Sequence, residues 1–322
     1  MGLPAGVIIW DEGWGEFSEV IKMRCFWVLT GIMAWMAVAC LAKPPAEPAP
    51  GDNGLPRIRP WRKISLDPVY RGQWLVTGDV DGDGLVDVVS ARNVNRADVH
   101  YTCSVIAQRL DGGVIWKWGD PNVGQSYLGY DLPCQIYDWD GNGQNEVIVA
   151  TKRNGQDWLV ELDGRTGEEK RRFRIPSGAT DCIAFCNLSG PPHGHPRDVL
   201  VKTRYTQVWA YDYQGNLLWT VRRPGGYNTA HQARPFDLDH DGIDEIMVGF
   251  VMVDAQGKQL WIAHKDGKTY NGHLDCARLF RSGPAPKETQ LVLTYCYGNR
   301  LATVSYTHLR AHETSLHLVC RL

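Results

Sequence analysis

"DLDHDGIDEIMVG", residues 237–249, sets acids at alternate positions, turns on a glycine, adds two more acids and then runs into an apolar stretch. Like charges packed this tightly repel one another unless a cation sits among them, and hard oxygen ligands at alternating positions suit calcium. The pattern occurs twice more. Asp79, Asp81, Asp83 and Asp87 stand in "DVDGDGLVDVV", and Asp138, Asp140, Asn142 and Glu146 in "DWDGNGQNEVIV"; their counterparts in the quoted stretch are Asp237, Asp239, Asp241 and Glu245. Positions 1, 3 and 5 offer side-chain oxygens. Position 6 is Gly84, Gly143 or Gly242, position 7 (Leu85, Gln144, Ile243) can present a backbone carbonyl, and position 9 closes the shell with a carboxylate. An EF-hand loop begins alike but closes at position 12 between two helices. Here the closing acid comes three residues early and a strand follows. A solvated acidic turn capping a hairpin would need no ion, but three copies in register favour Ca2+.

The loops begin at 79, 138 and 237, and a degenerate copy, "CNLSGPPHGHPRDVLV", supplies a fourth starting at Asn187, so the offsets are 59, 49 and 50 residues. Each is preceded by a short strand ("QWLVTG", "CQIY", "CIAF", "QARPF") and followed by another ("VDVVSA", "EVIVAT", "DVLVKT", "EIMVGF"). A hairpin completes each unit, as in "VWAYDYQGNLLWTV". Four strands per repeat of roughly 50 residues predicts an all-β fold, a β-propeller of four-stranded blades. A fifth unit starts at "HLDCARLF" and continues through "TQLVLTYCYG". About four and a half blades are expected over residues 66–302, of seven or eight in the intact protein, which leaves an open edge.

The rest of the composition agrees. With 322 residues, 43% hydrophobic and 22% charged, the chain can bury a sizeable core. A net charge of −2 gives nothing for nucleic acid to bind, and no nucleic-acid partner is expected. There is no CxxC, no P-loop and no nucleophile-elbow serine. Cys103, Cys134, Cys182, Cys186, Cys276 and Cys296 remain inside the repeats; Cys182 and Cys186, about 13 Å apart on one extended strand, cannot pair with each other. Trp116, Trp118, Trp219 and Trp261 recur at equivalent hairpin positions and are expected to pack blades together.

Both ends fall outside the repeats. Residues 1–22 fit no export pattern and are expected to come from an upstream start codon, with Met23 the true start. Residues 23–42 have the short basic region, the apolar "CFWVLTGIMAWMAVA" and the small residues of a signal peptide. "AVAC" resembles a lipobox, so either Cys40 is lipidated and tethers the chain to a membrane or ordinary cleavage releases it. An exported bacterial protein is implied, whether secreted, periplasmic or an outer-membrane lipoprotein. Residues 43–65 are a proline-rich spacer. Residues 303–322 ("…VSYTHLRAHETSLHLVCRL") resemble, codon by codon, the translation of a transposase-based sequencing adapter and its index. His308, His312, His317 and Cys320 are therefore not counted as metal ligands, and the native gene is expected to continue beyond Ala302.

An acidic loop feeding a strand resembles the calcium-binding repeats of FG-GAP and VCBS propellers. A narrower resemblance lies in "AHQARPFDLDHDGIDEIMVGFVMVDAQGKQLW", "NGHLDCARLF" and "YDWDGNGQNEVIVATK", which look like the catalytic propeller of rhamnogalacturonan lyases, polysaccharide lyase family 11 and its relatives. It spans roughly residues 70–300. The chain departs from that pattern at the degenerate loop after Asn187, at "RLFRSGPAP" where another acidic loop belongs, and in showing no amino-terminal β-sandwich.

The resemblance implies β-elimination at a uronic acid of an acidic polysaccharide. That chemistry needs a cation for the sugar carboxylate, a base for the C5 proton and an acid for the leaving oxygen. Inner strands converge on the propeller axis, which singles out His231 and His273, each leading into an inner strand, as catalytic candidates. Lys202 and Arg204 in "LVKTRYTQ" are candidates for gripping a carboxylate, as are Lys152 and Arg153. A hydrogen-bonded structural histidine and a solvated lysine are the plainer alternatives. A chain stopping near Ala302 is expected to be inactive alone, and the complete protein to be a monomer. The competing function is a non-catalytic, calcium-stabilised propeller that binds glycan or protein at the cell surface.

Overall fold

The computed structural model describes residues 60–96, 99–123, 134–229, 231–263, 274–281, 283, 289–295 and 300–305. The expected signal segment, Cys40, His273 and Cys296 lie outside the described residues. Apart from one short 3-10 turn at Pro224–Gly226, the described chain is all strand and turn. No helix among the described residues is long and apolar enough to cross a membrane.

Four sheets each have four antiparallel strands in simple up-and-down order. The first holds β1 (Trp74–Gly78), β2 (Asp87–Arg96), β3 (Val99–Arg109) and β4 (Val114–Gly119). The second holds β5 (Cys134–Tyr137), β6 (Glu146–Arg153), β7 (Gln156–Asp163) and β8 (Glu169–Arg174). The third runs β9 (Cys182–Cys186), β10 (Asp198–Lys202), β11 (Gln207–Tyr211) and β12 (Leu217–Arg222), and the fourth β13 (Arg234–Phe236), β14 (Glu245–Val248), β15 (Val251–Val253) and β16 (Gln259–Ile262). A fifth sheet has three strands, β17 (Leu274–Arg281), β18 (Gln290–Tyr295) and β19 (Arg300–Ser305).

Continuous apolar runs such as "EVIVA" become strands buried on both faces. Successive side chains point to opposite faces. Val147 and Val149 therefore pack against Val89, Ala91 and Val105 of the first sheet, while Ile148 and Ala150 pack against Val199, Val201 and Trp209 of the third. Leu200, Val208 and Ala210 then meet Ile246, Val248, Val251 and Val253, and Met247, Met252 and Trp261 meet Leu274, Ala277, Leu291 and Leu293. The core is a series of seams between consecutive sheets.

Two devices repeat along the seams. A one-residue bulge interrupts the pairing of the third and fourth strands in all four complete sheets, leaving Ile115, Lys170, Leu218 and Leu260 as the extra residues. Trp116 reaches the hairpin turn of the second sheet and donates to the Gly164 carbonyl at 2.6 Å; Trp219 does the same to Ala255 of the fourth at 2.8 Å. Each ring lies flat against a glycine of that turn, so close that a Cβ on Gly257 would stand 2.9 Å from Trp219. The expected packing role of these tryptophans is therefore seen directly.

Two boundaries differ from the sequence expectation. "EIMVGF" is not one strand, because Gly249 turns the chain between β14 and β15. β19 extends into the segment expected to be adapter-derived, pairing Thr303, Val304 and Ser305 with Val292, Leu291 and Gln290. Ladder hydrogen bonds use backbone groups alone, so this pairing does not depend on which side chains the segment carries.

Candidate functional site

Each acidic loop joins the first strand of its sheet to the second, so all lie at one end of the strands. One hydrogen bond organises every copy. The backbone N–H of the second loop residue donates to the acid that opens the next strand: Val80 to Asp87 at 3.0 Å, Trp139 to Glu146 at 2.8 Å and Leu238 to Glu245 at 3.0 Å. The degenerate loop keeps the bond, Leu188 to Asp198 at 2.7 Å, with Ser189 Oγ adding a second at 2.7 Å. All four second residues are buried. The first acid shapes the turn, since Asp79 accepts from Gly82 and Gly84 at 2.7 and 2.9 Å, and Asp138 from Asn142 and Gly143 at 3.0 and 2.9 Å. The position-6 glycines have φ of 83°, 87° and 84°, the left-handed region that glycine enters without penalty.

Ligand oxygens converge within 4.8 Å in three groups: Asp79, Asp81 and Asp87; Asp138, Asp140 and Glu146; Asp237, Asp239 and Asp241. Asp83 and Glu245 fall outside these groups. Asp83 accepts from Leu85 at 2.8 Å, and Asn142 from Gln144 at 2.8 Å.

The three groups meet different cations. Arg109 pairs with Asp81 and approaches Asp83 at 3.9 Å from a half-exposed position. Lys170 Nζ sits 2.7 Å from both Asp140 and Glu146, with Glu161 at 3.7 Å. Among the described residues, no lysine or arginine pairs with Asp237, Asp241 or Glu245, and Asp237 Oδ1 is buried with no hydrogen-bond partner. Burial pushes the Glu245 carboxyl up to about 7, with Asp239, Asp241 and Asp237 adding to the rise. Burial also raises Asp87. A divalent ion fits this donor set, because it would bring positive charge to carboxylate oxygens that converge within 4.8 Å.

The other end of the same strands is built differently. There β10 ends on Lys202, which is fully buried and donates to Asp181 at 3.3 Å and to the Arg204 carbonyl at 2.7 Å. His100, from the long β2–β3 hairpin, places Nε2 3.7 Å from Asp181 and 3.3 Å from Arg204 NH1. This contact joins the first sheet to the third. Arg204 lies 5.2 Å over the Tyr205 ring, and Tyr205 meets His231 edge-on at 5.6 Å. Thr180 Oγ1, Thr229 Oγ1 and Arg234 Nε are buried with no hydrogen-bond partner. Burial lowers Arg234, and the charge of Arg278 lowers it further.

Of the residues picked from sequence, His231 and Arg204 come together. Lys202 has its charge taken up inside by Asp181. Lys152 pairs with Asp157 and Arg153 with Glu169. Sequence reasoning missed Asp181 and His100. Asp181 stands directly before β9 much as His231 stands before β13, and the same rule would have found it. Nothing in "VHYTC" marks His100, whose place comes from the added length of its hairpin. The cysteines are free thiols at Cys103, Cys134, Cys182, Cys186 and Cys276. Burial pushes the Cys134 and Cys182 thiols up to about 12 and 11.

The fold and site define a class: an all-β chain of consecutive four-stranded antiparallel sheets with acid-lined turns at one end. Within that class the chain is 26% identical over 260 residues to the rhamnogalacturonan endolyase YesW of Bacillus subtilis, covering 62% of this chain and 41% of that protein. It is also 26% identical over 263 residues to the rhamnogalacturonan exolyase YesX of the same organism, covering 62% and 42%. The chain thus spans about two fifths of the length of these relatives. The YesW crystal structure superposes with a TM-score of 0.53 at 21% identity, covering 72% of this chain and 48% of that one. The YesX structure gives 0.51 at 21%, covering 81% and 50%. No protein-family profile matches the chain.

Proposed function

We propose that this chain forms consecutive blades of an exported, calcium-stabilised β-propeller lyase that cleaves a rhamnogalacturonan-type polysaccharide by β-elimination. The observation that carries the proposal is the similarity, over most of the repeat region, to both an endo- and an exo-acting rhamnogalacturonan lyase. The site is in keeping with it. Arg204, Arg234 and Arg278 suit a uronate carboxylate, and fixed positive charge beside that group lowers the barrier to losing the neighbouring C5 proton. His231, beside Tyr205, takes that proton. The electron pair left on C5 forms the C4–C5 double bond, the C4–O bond breaks, and the leaving oxygen gains a proton. Calcium, when bound in the loops at the opposite end, neutralises clustered carboxylates and holds strand openings together.

The test is the full-length gene product incubated with rhamnogalacturonan and with other uronic-acid polymers, following the ultraviolet absorbance of the 4,5-unsaturated uronate. Absorbance growing on rhamnogalacturonan supports the lyase; none on any polymer, with folded and calcium-loaded protein, rejects it. One observation favours a second reading, a glycan- or protein-binding propeller without catalysis: the Lys202 ammonium is consumed by Asp181 inside the fold. Retention on immobilised polysaccharide without turnover would support that binder.

A further inference from the structure

We propose that Lys170 is the resident cation of the second acidic loop, so that this loop is clasped by a side-chain ammonium and takes up no calcium while that amine is present. The inference rests on reading the loops as cation sites and marks out one that departs from the rest.

Geometry comes first. Lys170 Nζ lies 2.7 Å from Asp140 Oδ2 and 2.7 Å from Glu146 Oε1, two of the three carboxylates whose oxygens converge in that loop. Calcium would need those oxygens at about 2.3–2.6 Å. An ammonium and a calcium ion cannot share one pair of oxygens at such distances. Arg109 in the first loop is placed otherwise, pairing with Asp81 and approaching Asp83 at 3.9 Å, so it engages one of the three converging carboxylates where Lys170 engages two.

The repeat explains why the amine is there. Lys170 is the bulge residue of its sheet, and its counterparts are Ile115, Leu218 and Leu260. In the adjacent register the other sheets pair Ala107 with Trp116, Ala210 with Trp219 and Met252 with Trp261, whereas the second pairs Glu161 with Arg171. The second sheet has thus exchanged an apolar pair for an ion pair, Arg171 Nε to Glu161 Oε2 at 2.9 Å, and an apolar bulge for a lysine. Its loop is also the least acidic of the three regular copies: position 5 is Asn142, where the first and fourth loops have Asp83 and Asp241.

The experiment counts calcium ions per chain by isothermal titration, with terbium luminescence as a second readout, on wild type, Asp140→Ala, Lys170→Met and Lys170→Met/Asp140→Ala. Asp140→Ala in the wild-type background should leave the count unchanged. Lys170→Met, which restores the apolar side chain of the other sheets, should add one ion per chain, and Asp140→Ala should then remove it. A wild-type count that falls by one with Asp140→Ala overturns the inference, and this arm holds even if Lys170→Met fails to fold. A folded Lys170→Met with no added ion overturns it too. If no variant, wild type included, binds any ion, the reading of the loops as cation sites falls with it.

Discussion

The two ends of the strands solve the same problem in opposite ways. At the acidic end negative charge is in excess and the folded chain supplies only part of the balance: Arg109 in the first loop, Lys170 in the second, and no pairing lysine or arginine for Asp237, Asp241 or Glu245 among the described residues of the fourth. At the other end, among the described residues, Asp157 is taken up by Lys152, and Asp181 by Lys202 and His100. Charge left over after internal pairing is what a molecule has to offer to others. The acid-lined end is therefore the one whose clustered carboxylates could hold a metal ion.

The largest effect that would sharpen this contrast is on turnover. In the complete protein, His231→Ala should cut lyase rate by about a hundredfold to ten-thousandfold while melting stays near wild type, whereas Arg204→Ala should cut the rate and also lose the contact with His100. Initial rates beside calorimetric melting curves check it; equal rates would break the assignment of this end to substrate. Next comes Asp181→Ala, which leaves the buried Lys202 ammonium without its carboxylate and should cost about 3–5 kcal/mol, read from denaturant unfolding. A smaller cost would mean that Lys202 reaches solvent. Chelation should then lower stability by about 2.7 kcal/mol for each ion present at a hundred times its Kd. Asp239→Ala should remove one ion's share only, measured as the shift of melting temperature with and without chelator. Smallest is the Asp67–Lys117 pair, in which the Lys117 hydrogen bond and then the Tyr70 N–H lower the Asp67 carboxyl from 3.8 to about 2. A depressed carboxyl stabilises above its unfolded pKa, so this contribution is present above about 3.8 and is lost as pH falls through about 2. The pair is solvent-screened and should be worth about 0.2–1 kcal/mol. Lys117→Met should remove that contribution at neutral pH and flatten that part of the acid unfolding curve, with no effect once pH lies below about 2.

Strands, turns and acidic loops were legible because each rests on local chemistry: alternating acids, a glycine at a positive φ and a short apolar run. That is why even the degenerate loop was placed, although its closing acid, Asp198, is set farther from Asn187 than in the other copies. What was not legible comes from contacts between repeats. Gly249 splits "EIMVGF" because the chain there turns against Asn228 and Thr229, residues of the connection that leads from β12 into β13. Lys202, a sequence candidate for gripping a substrate carboxylate with a solvated lysine as the alternative, instead lies buried against Asp181, 21 positions away. Lys170 could not be told from its solvated neighbours in "EEKRRF" without the bulge that directs it at Asp140 and Glu146.

Sheets joined only by seams with their immediate neighbours would unzip one at a time from a free edge. His100 denies the first sheet that freedom, because it cannot depart without also stripping Arg204 and Asp181 of a partner two sheets on. The opening three sheets should consequently melt as one block, with hydrogen exchange in β2, β6 and β10 slowing and quickening together.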